Sequence, residues 1–462
     1  MEPNDSRGRT TGPPHVLVQD RGLTRDVFGT YGTSALRIGL GTIVGVITAR
    51  VLGPHNRGVF SLVYLLPATV ATLAKLGLAQ ASVYSIRRDR MPPERVVANA
   101  LLAALVVGGV FVLLAFVLRH RLLATVLRGV PEWAMLIALP VIPLLLFESY
   151  FFGILQALGR FGLCNARLLI ETVLLVLGML IFLVGFGGGL GAAILVVLCV
   201  QVLLDAWLLV TVWRWFPSSW KLDLPLLGRE IRFGLKSHIQ VLAQHLHLRA
   251  DAYLVAYFLD PAQVAFYVLA VRLAEFMLDI AEAVGVVLYP RLASLGDGAM
   301  HELTAQACRR TLLLTTIGGV LLSLFGPAVI VLWYGAAYAP AGRPLRLVAV
   351  GVVTMSIFVL LTRNFTSRNK QQVNIVAGFI ALVGNIVLNL FAIPAMGIVG
   401  AALASLISYA AATALLIGFF LRESHLSVWD VLLAKPEDLR FFWNLGVRVI
   451  GRGKQLALRV AT

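Results

Sequence analysis

Charge is scarce in this chain. Only 13% of its 462 residues are Asp, Glu, Lys or Arg, while 59% are hydrophobic. That is far more apolar length than one soluble core could hide. Cysteine is nearly missing: Cys164, Cys199 and Cys308 make neither a CxxC pair nor a Cys/His spacing, which argues against a disulfide scaffold or zinc site and leaves them as packing residues. There is no GxxxxGK[ST] phosphate loop, so the chain brings no nucleotide motor of its own. Carboxylates are thin where a membrane glycan polymerase or ligase would need them. The first outer link, RVLGPHNRGV, holds none, and no Ser/His/Asp spacing or sizeable soluble domain compensates. The basic excess, a net charge of +16, sits in short links rather than long tracts. Such a pattern sets membrane topology and argues against nucleic-acid binding.

Apolar segments of about 20 residues, enough to span about 30 Å of hydrocarbon, fall near 27–50, 58–85, 96–118, 133–158, 165–186 and 189–213. A second set falls near 231–258, 262–290, 309–333, 342–362, 372–393 and 397–421. The expected fold class is therefore an all-α polytopic membrane protein of about twelve transmembrane helices. With the N-terminus inside, most of the 39 Lys and Arg collect on inner links, Arg160 and Arg167 among them. Arg50, Arg57, Arg119, Arg121, Arg128, Arg343 and Arg346 fall outside, and Arg37, Lys75, Arg249 and Arg272 within spans. The positive-inside rule then gives an N-in/C-in topology. Residues 1–25 carry four Arg and three Pro but no short apolar core ending in a cleavage site, so they read as a cytosolic tail and not a removed signal.

The chain repeats itself. ARVLGPHNRGVFSL (Ala49 to Leu62) matches AYFLDPAQVAFYVL (Ala256 to Leu269), with Pro54/Pro261 and Phe60/Tyr267 in one register. Gly191-Ala192-Ala193 answers Gly400-Ala401-Ala402 at nearly the same offset. Two six-helix lobes in the same membrane orientation follow: an N-lobe over 26–217 and a C-lobe over 218–421, joined near WRWFPSSWKLDLPLLG. Residues 422–462 mix Trp429, Phe441, Phe442 and Trp443 with Arg440, Arg448, Arg452 and Lys454. A basic amphipathic helix on the cytosolic headgroups and a poorly ordered tail fit that composition equally.

Two spans are too polar for lipid. In GREIRFGLKSHIQVLAQHLHLRADAYLVAYFLD, Ser237, Gln240, Gln244, His247 and Asp251 share one helical face, and His238, His245 and Arg249 form an adjacent row. Intramembrane polar groups turn toward a cavity or protein interior, so this stretch is expected to wall a hydrophilic cavity. The next span places Arg272, Glu275, Asp279 and Glu282 on one stripe. Arg249, Asp251, Arg272 and Glu275 fit mutual neutralisation. They also fit function: Arg37, Lys75 and Arg249 presenting positive charge to an anionic cargo, and Asp251, Glu275, Asp279 or Glu282 exchanging a proton or sodium ion. Gln240, Gln244 and His247 would bind cargo hydroxyls. Arg37 stands out because its own helix offers no carboxylate. Glu148, Glu171 and Asp205 are weaker candidates, each explained by a local hydrogen bond. The histidines read as cavity lining rather than a metal cluster.

ITARVLGPHNRGVFSLVYLLPATVATLAKLGLAQASV, LLLFESYFFGILQALGRFGLCNA, LRADAYLVAYFLDPAQVAFYVLAVRLAE and IPAMGIVGAALASLIS resemble the polysaccharide (Wzx-type) flippases of the multidrug/oligosaccharidyl-lipid/polysaccharide (MOP) exporter superfamily. The resemblance runs from about Val27 to Leu421, with about twelve spans where the superfamily's lipid II flippases have fourteen. It implies a central cavity opening alternately to the two sides of the bacterial cytoplasmic membrane. The cargo implied is an undecaprenyl-pyrophosphate-linked oligosaccharide for surface polysaccharide, handed on to assembly proteins. No organic cofactor or metal is implied. The runner-up is a drug or cation antiporter of the same superfamily, which would bind cations through carboxylates. The first lobe, poor in intramembrane acid, counts mildly against it.

Overall fold

The computed structural model describes residues 20–216 and 221–444; side chains of residues 20–31 and of a few later positions, Gln240 and Gln244 among them, lie outside that description. Every regular element among the described residues is helical. Helix α1 (Asp20–Ala74) is interrupted by Gly53, whose φ of 70° and ψ of 173° break the helix at the first outer link read from sequence. Pro54 follows and starts the second arm, since its fixed φ suits a first helical position. The arm stops at Leu76 and Gly77, both with positive φ, and α2 (Leu78–Arg87) continues beyond the break.

The remaining helices are α3 (Pro93–Val117), α4 (Arg119–Ala124), α5 (Glu132–Ala138), α6 (Val141–Ala157), α7 (Phe161–Met179) with a wider turn to Gly185, and α8 (Leu190–Trp215). The second half holds α9 (Leu224–Phe258), α10 (Pro261–Ala293), α11 (Asp297–Tyr334), α12 (Gly342–Ser367), α13 (Gln371–Met396), α14 (Ile398–Ser424) and α15 (Val428–Leu432). Among the described residues, nine helical stretches are long and apolar enough to cross a membrane. Helices α9 and α10, the two that the sequence singles out by their polar residues, are long enough to cross as well.

Apolar packing is continuous at one end of the bundle and divided at the other. The largest core joins Ala49, Val59 and Leu62 of the first half to Val255, Ala265 and Tyr338 of the second. Toward the opposite, basic end it separates into a first-half core around Phe151 and Ile154 and a second-half core around Leu360 and Phe420. The repeated turns meet where the cores fuse: a Cβ on Gly58 would lie 1.7 Å from the Pro261 carbonyl oxygen. Arg50 closes the same end by donating to the Leu332 and Trp333 carbonyls at 2.6 and 2.7 Å, groups the end of α11 leaves unpaired. Backbone against backbone cannot yield cheaply. Gly58→Ala is therefore expected to part the two halves here, raising the labelling of a cysteine placed at Ala49 by an impermeant thiol reagent; unchanged labelling would contradict this closure.

Helix α9 binds both halves. Its start packs Leu226 into the first-half core, and the backbones of Gly234 and Gly77 touch so closely that neither tolerates a Cβ. Beyond the last long helix, Asp438 is buried and accepts from Arg309 Nε and Arg310 Nε, both at 2.9 Å. Burial pushes the Asp438 carboxyl up, but hydrogen bonds from Arg309, the Lys435 amide and Arg310 outweigh it and hold the group below its ordinary value. A depressed folded value stabilises docking above the ordinary carboxylate range, near pH 4, and that contribution is lost as pH falls through the folded value. Protease protection of 428–444 should accordingly hold at neutral pH and weaken below about pH 4; protection that rises on acidification would contradict the assignment.

Candidate functional site

A cavity of about 490 Å³ lies between the halves near their fused end, walled by α1, α9, α10 and the tyrosines Tyr334 and Tyr338. Three arginines line it: Arg57, Arg249 and Arg272. Arg249 and Arg272 share one carboxylate, Glu275, at 3.1 and 3.3 Å. Arg57 donates to Ser61 Oγ at 3.0 Å and lies 5.3 Å over the Phe60 ring, with no ion pair among the described residues. Asp251 also reaches the cavity but is buried, accepting from the Tyr267 hydroxyl and from Ser405 at 3.3 Å. The wall thus carries more positive charge than its own carboxylates neutralise, in a surrounding that is mostly apolar.

A second cavity, about 620 Å³, opens nearer the basic end between α1, α2 and α6, with Lys75, Gln80, Ser149 and Gln156 in its wall. One face of the second arm of α1 serves both: Arg57, Ser61, Tyr64 and Leu65 line the first cavity, and Ala68, Ala71, Thr72 and Lys75 the second. Steps of three and four keep these positions in a single stripe. At 1.5 Å per residue the stripe runs about 27 Å from Arg57 to Lys75, most of a hydrocarbon layer.

Several sequence expectations land elsewhere. Of the face of α9 expected to wall a hydrophilic cavity, Asp251 reaches the first cavity, whereas His247 packs into the second half, buried with its ring 5.3 Å from Tyr409. The adjacent row is a seam with the first half, where His238 meets the Leu73 carbonyl at 3.2 Å, His245 meets Thr69 at 2.9 Å and Tyr253 donates to the Leu65 carbonyl at 3.0 Å. A helix gripped on both sides needs polar groups for both, which is why it reads as too polar for a lipid-facing span. Gln240 and Gln244 lie outside the described side chains. Lys75 reaches the second cavity without an ion pair among the described residues. Glu275 takes two arginines, Glu282 takes Arg363 at 2.6 Å, and Asp279 is exposed with no ion pair among the described residues. The mutual neutralisation expected of Arg249, Arg272 and Glu275 is present; Asp251 stands outside it.

Arg37 is half-buried with its Nε unpartnered. It is absent from the arginine cavity and lies within electrostatic reach of Glu171.

Two features escape a reading of the sequence alone. Arg57, assigned to the outer link, belongs to the cavity because α1 resumes at Pro54 and carries it inward. Arg167, assigned to an inner link, is fully buried because α7 begins at Phe161. It holds Glu148 at 2.7 Å, Glu171 at 3.1 Å and Asp205 at 2.7 Å, while Gln201 bridges Glu148 and Asp205 at 3.1 Å each. The carboxylates expected to make separate local bonds form one network around Arg167. Among the described residues no group of three His, Cys, Asp or Glu is placed to hold a metal.

Long lipid-crossing helices, two halves fused at one end and a charged cavity between them define a multi-pass membrane transporter of the MOP type, not an enzyme. The chain belongs to the lipid II flippase MurJ family, whose model matches residues 59–443. It is 23% identical over 374 residues to the probable low-salt glycan biosynthesis flippase Agl15 of Haloferax volcanii, covering 79% of this chain and 77% of that protein. Its fold resembles a lipid II flippase MurJ in an inward closed conformation, with TM-score 0.72, 15% identity and coverage of 87% of this chain and 90% of that one. It also resembles a multidrug resistance MATE family transporter of the MOP superfamily in an inward-facing conformation, with TM-score 0.70, 16% identity and coverage of 84% and 94%. The superfamily and lipid-linked flippase character expected from the motifs are therefore present, and the family reached is the lipid II flippase one.

Proposed function

We propose that this protein moves an undecaprenyl-pyrophosphate-linked oligosaccharide across a bacterial cytoplasmic membrane by alternating access, for surface polysaccharide assembly. The observation that carries the reading is the arginine excess: two guanidiniums on one Glu275 and a third, Arg57, on none. Guanidinium forks match phosphate oxygens bidentately, and a largely apolar wall strengthens the attraction. The α1 stripe gives hydroxyl-rich sugars polar groups at both cavities, Arg57, Ser61 and Tyr64 at the first and Thr72 and Lys75 at the second. Twelve crossings in two six-helix lobes, N-in and C-in, accord with α1 divided at Gly53 and with α9 and α10 added to the nine apolar helices. The second cavity nearer the basic end and the fused packing at the other support a state open toward the cytosol.

Ion coupling centres on Asp251 in this reading. Its carboxylate makes no ion pair among the described residues, with Arg249 within electrostatic reach, and Ser405 links it to Asn385 at 3.4 Å, which in turn accepts from Asn389 at 2.9 Å. Asn389 Oδ1 is buried without a partner. A buried carboxylate joined through a hydroxyl and an amide to a residue with a spare carbonyl oxygen suits a sodium ion or a proton. Asp251→Asn is expected to leave exchange down the cargo gradient intact while removing acceleration by an imposed sodium or proton gradient in proteoliposomes; a variant still driven by both gradients would remove this role.

The drug or cation antiporter remains the second reading, favoured by the Arg167 network, whose three carboxylates outnumber their one guanidinium. Deletion separates the two. A flippase mutant accumulates finished lipid-linked units on the cytosolic side, whereas an antiporter mutant gains drug sensitivity.

A further inference from the structure

The segment after the last long helix is inside out for a piece of protein surface bathed in water. It buries a carboxylate, Asp438, and exposes its largest apolar side chains. Trp429 is 63% exposed and Leu433 55%; Leu439 is 56% and Trp443 75%. Leu439 and Trp443 are spaced i,i+4 on the helical stretch at 436–444 and present one apolar ridge outward, while Trp429 on the short helix α15 and Leu433 just past its end add a second exposed apolar pair. The inward side is fastened firmly. Arg309 donates to the Asp430 carbonyl and to Asp438, Arg310 pairs with Asp438 and stacks 4.0 Å over Phe441, and Ser427 with Asp430 closes a capping box. Folding has spent polar contacts on holding indoles out.

We propose that 428–444 is a docking surface for anionic lipid headgroups at the basic end of the bundle, seated half in the headgroup layer with Trp429 and Trp443 as its anchors. Two observations select lipid over a protein partner. The segment follows directly from α14, an apolar helix long enough to cross a membrane, whose end holds the charged Arg368–Glu423–Lys370 cluster. Residues 445–462 then add Arg448, Arg452, Lys454 and Arg459 without one acidic residue. Tryptophan prefers the interface, and each basic residue near an anionic surface adds attraction. The carboxylates of 428–444 do not oppose this: Asp438 is neutralised by two arginines and Asp430 by Lys435 at 2.7 Å, which leaves Glu437 as the one acidic group facing out with Arg440.

The test compares the full chain with Trp429→Phe/Trp443→Phe in proteoliposomes of phosphatidylglycerol and of phosphatidylcholine, with lipids brominated near the carbonyl end of the acyl chain. The difference emission isolates these two indoles among eight. Lipid bromine is expected to quench at least half of it in phosphatidylglycerol and clearly less in phosphatidylcholine or high salt, with little quenching by aqueous acrylamide. Strong acrylamide quenching without lipid quenching would overturn the proposal in favour of a water-facing or protein-binding surface. Equal lipid quenching in both vesicles would overturn the anionic selectivity.

Discussion

Replacing Arg57 or Arg249 by alanine is expected to stop cargo movement while the protein still inserts and folds. Each guanidinium offers charge-assisted hydrogen bonds to a diphosphate, worth about 1.5–3 kcal/mol when lost. That corresponds to a fall in cargo affinity of roughly 10-fold to 150-fold for each substitution. Arg57 pairs with no carboxylate among the described residues and donates to Ser61, so its removal chiefly changes the cavity charge. Arg249→Ala leaves Glu275 with Arg272. Arg57→Lys keeps the charge but loses the planar fork, and should fall between wild type and alanine. In cells, the alanine variants should accumulate finished lipid-linked units on the cytosolic leaflet at normal protein levels. Normal surface polysaccharide in both would remove the charge-based mechanism. Arg37→Ala is expected to be milder, because Arg37 lies outside this cavity.

Arg167→Ala should instead damage the protein itself. The guanidinium is fully buried and is the shared partner of Glu148, Glu171 and Asp205. Breaking a buried pair by removing one partner costs about 3–5 kcal/mol, since uncompensated charge stays behind. Here three carboxylates would be left facing one another with only Gln201 between two of them. The expected readout is a markedly lower melting temperature in detergent or failure to accumulate, partly reversed by adding Glu148→Gln, which takes away one of the stranded charges. An unchanged melting temperature for Arg167→Ala would show that the network contributes nothing to stability.

These two arginines also mark where sequence reading stops. Hydropathy, Gly53-Pro54 and its repeat at Asp260-Pro261 reveal the helical class and the repeated turns, because both depend on local composition and backbone chemistry. The polar character of α9 and α10 is equally legible, and Arg249 and Glu275 do meet across them. Which way a polar face points is not a local property. The His247 and Asp251 face of α9 turns into Tyr409, Tyr267 and Ser405, and only the packing of α9 between α1 and α13 decides that. Arg57 and Arg167 sit within a turn or two of helix ends, where an error of a few residues in a boundary moves a side chain from solvent into the interior. The stripe Arg57, Ser61, Tyr64, Ala68, Thr72 and Lys75 could have been found from its three-and-four spacing had the second arm been begun at Pro54.

The most direct test of the central claim is transport of a polyprenyl-diphosphate-linked oligosaccharide, labelled on its sugar, by the purified protein in proteoliposomes. The arginine-rich cavity predicts protein-dependent appearance of the label on the opposite leaflet, abolished in the Arg57→Ala/Arg249→Ala variant. No movement of that cargo by wild-type protein that exchanges an organic cation for protons in the same vesicles would contradict it and favour the antiporter.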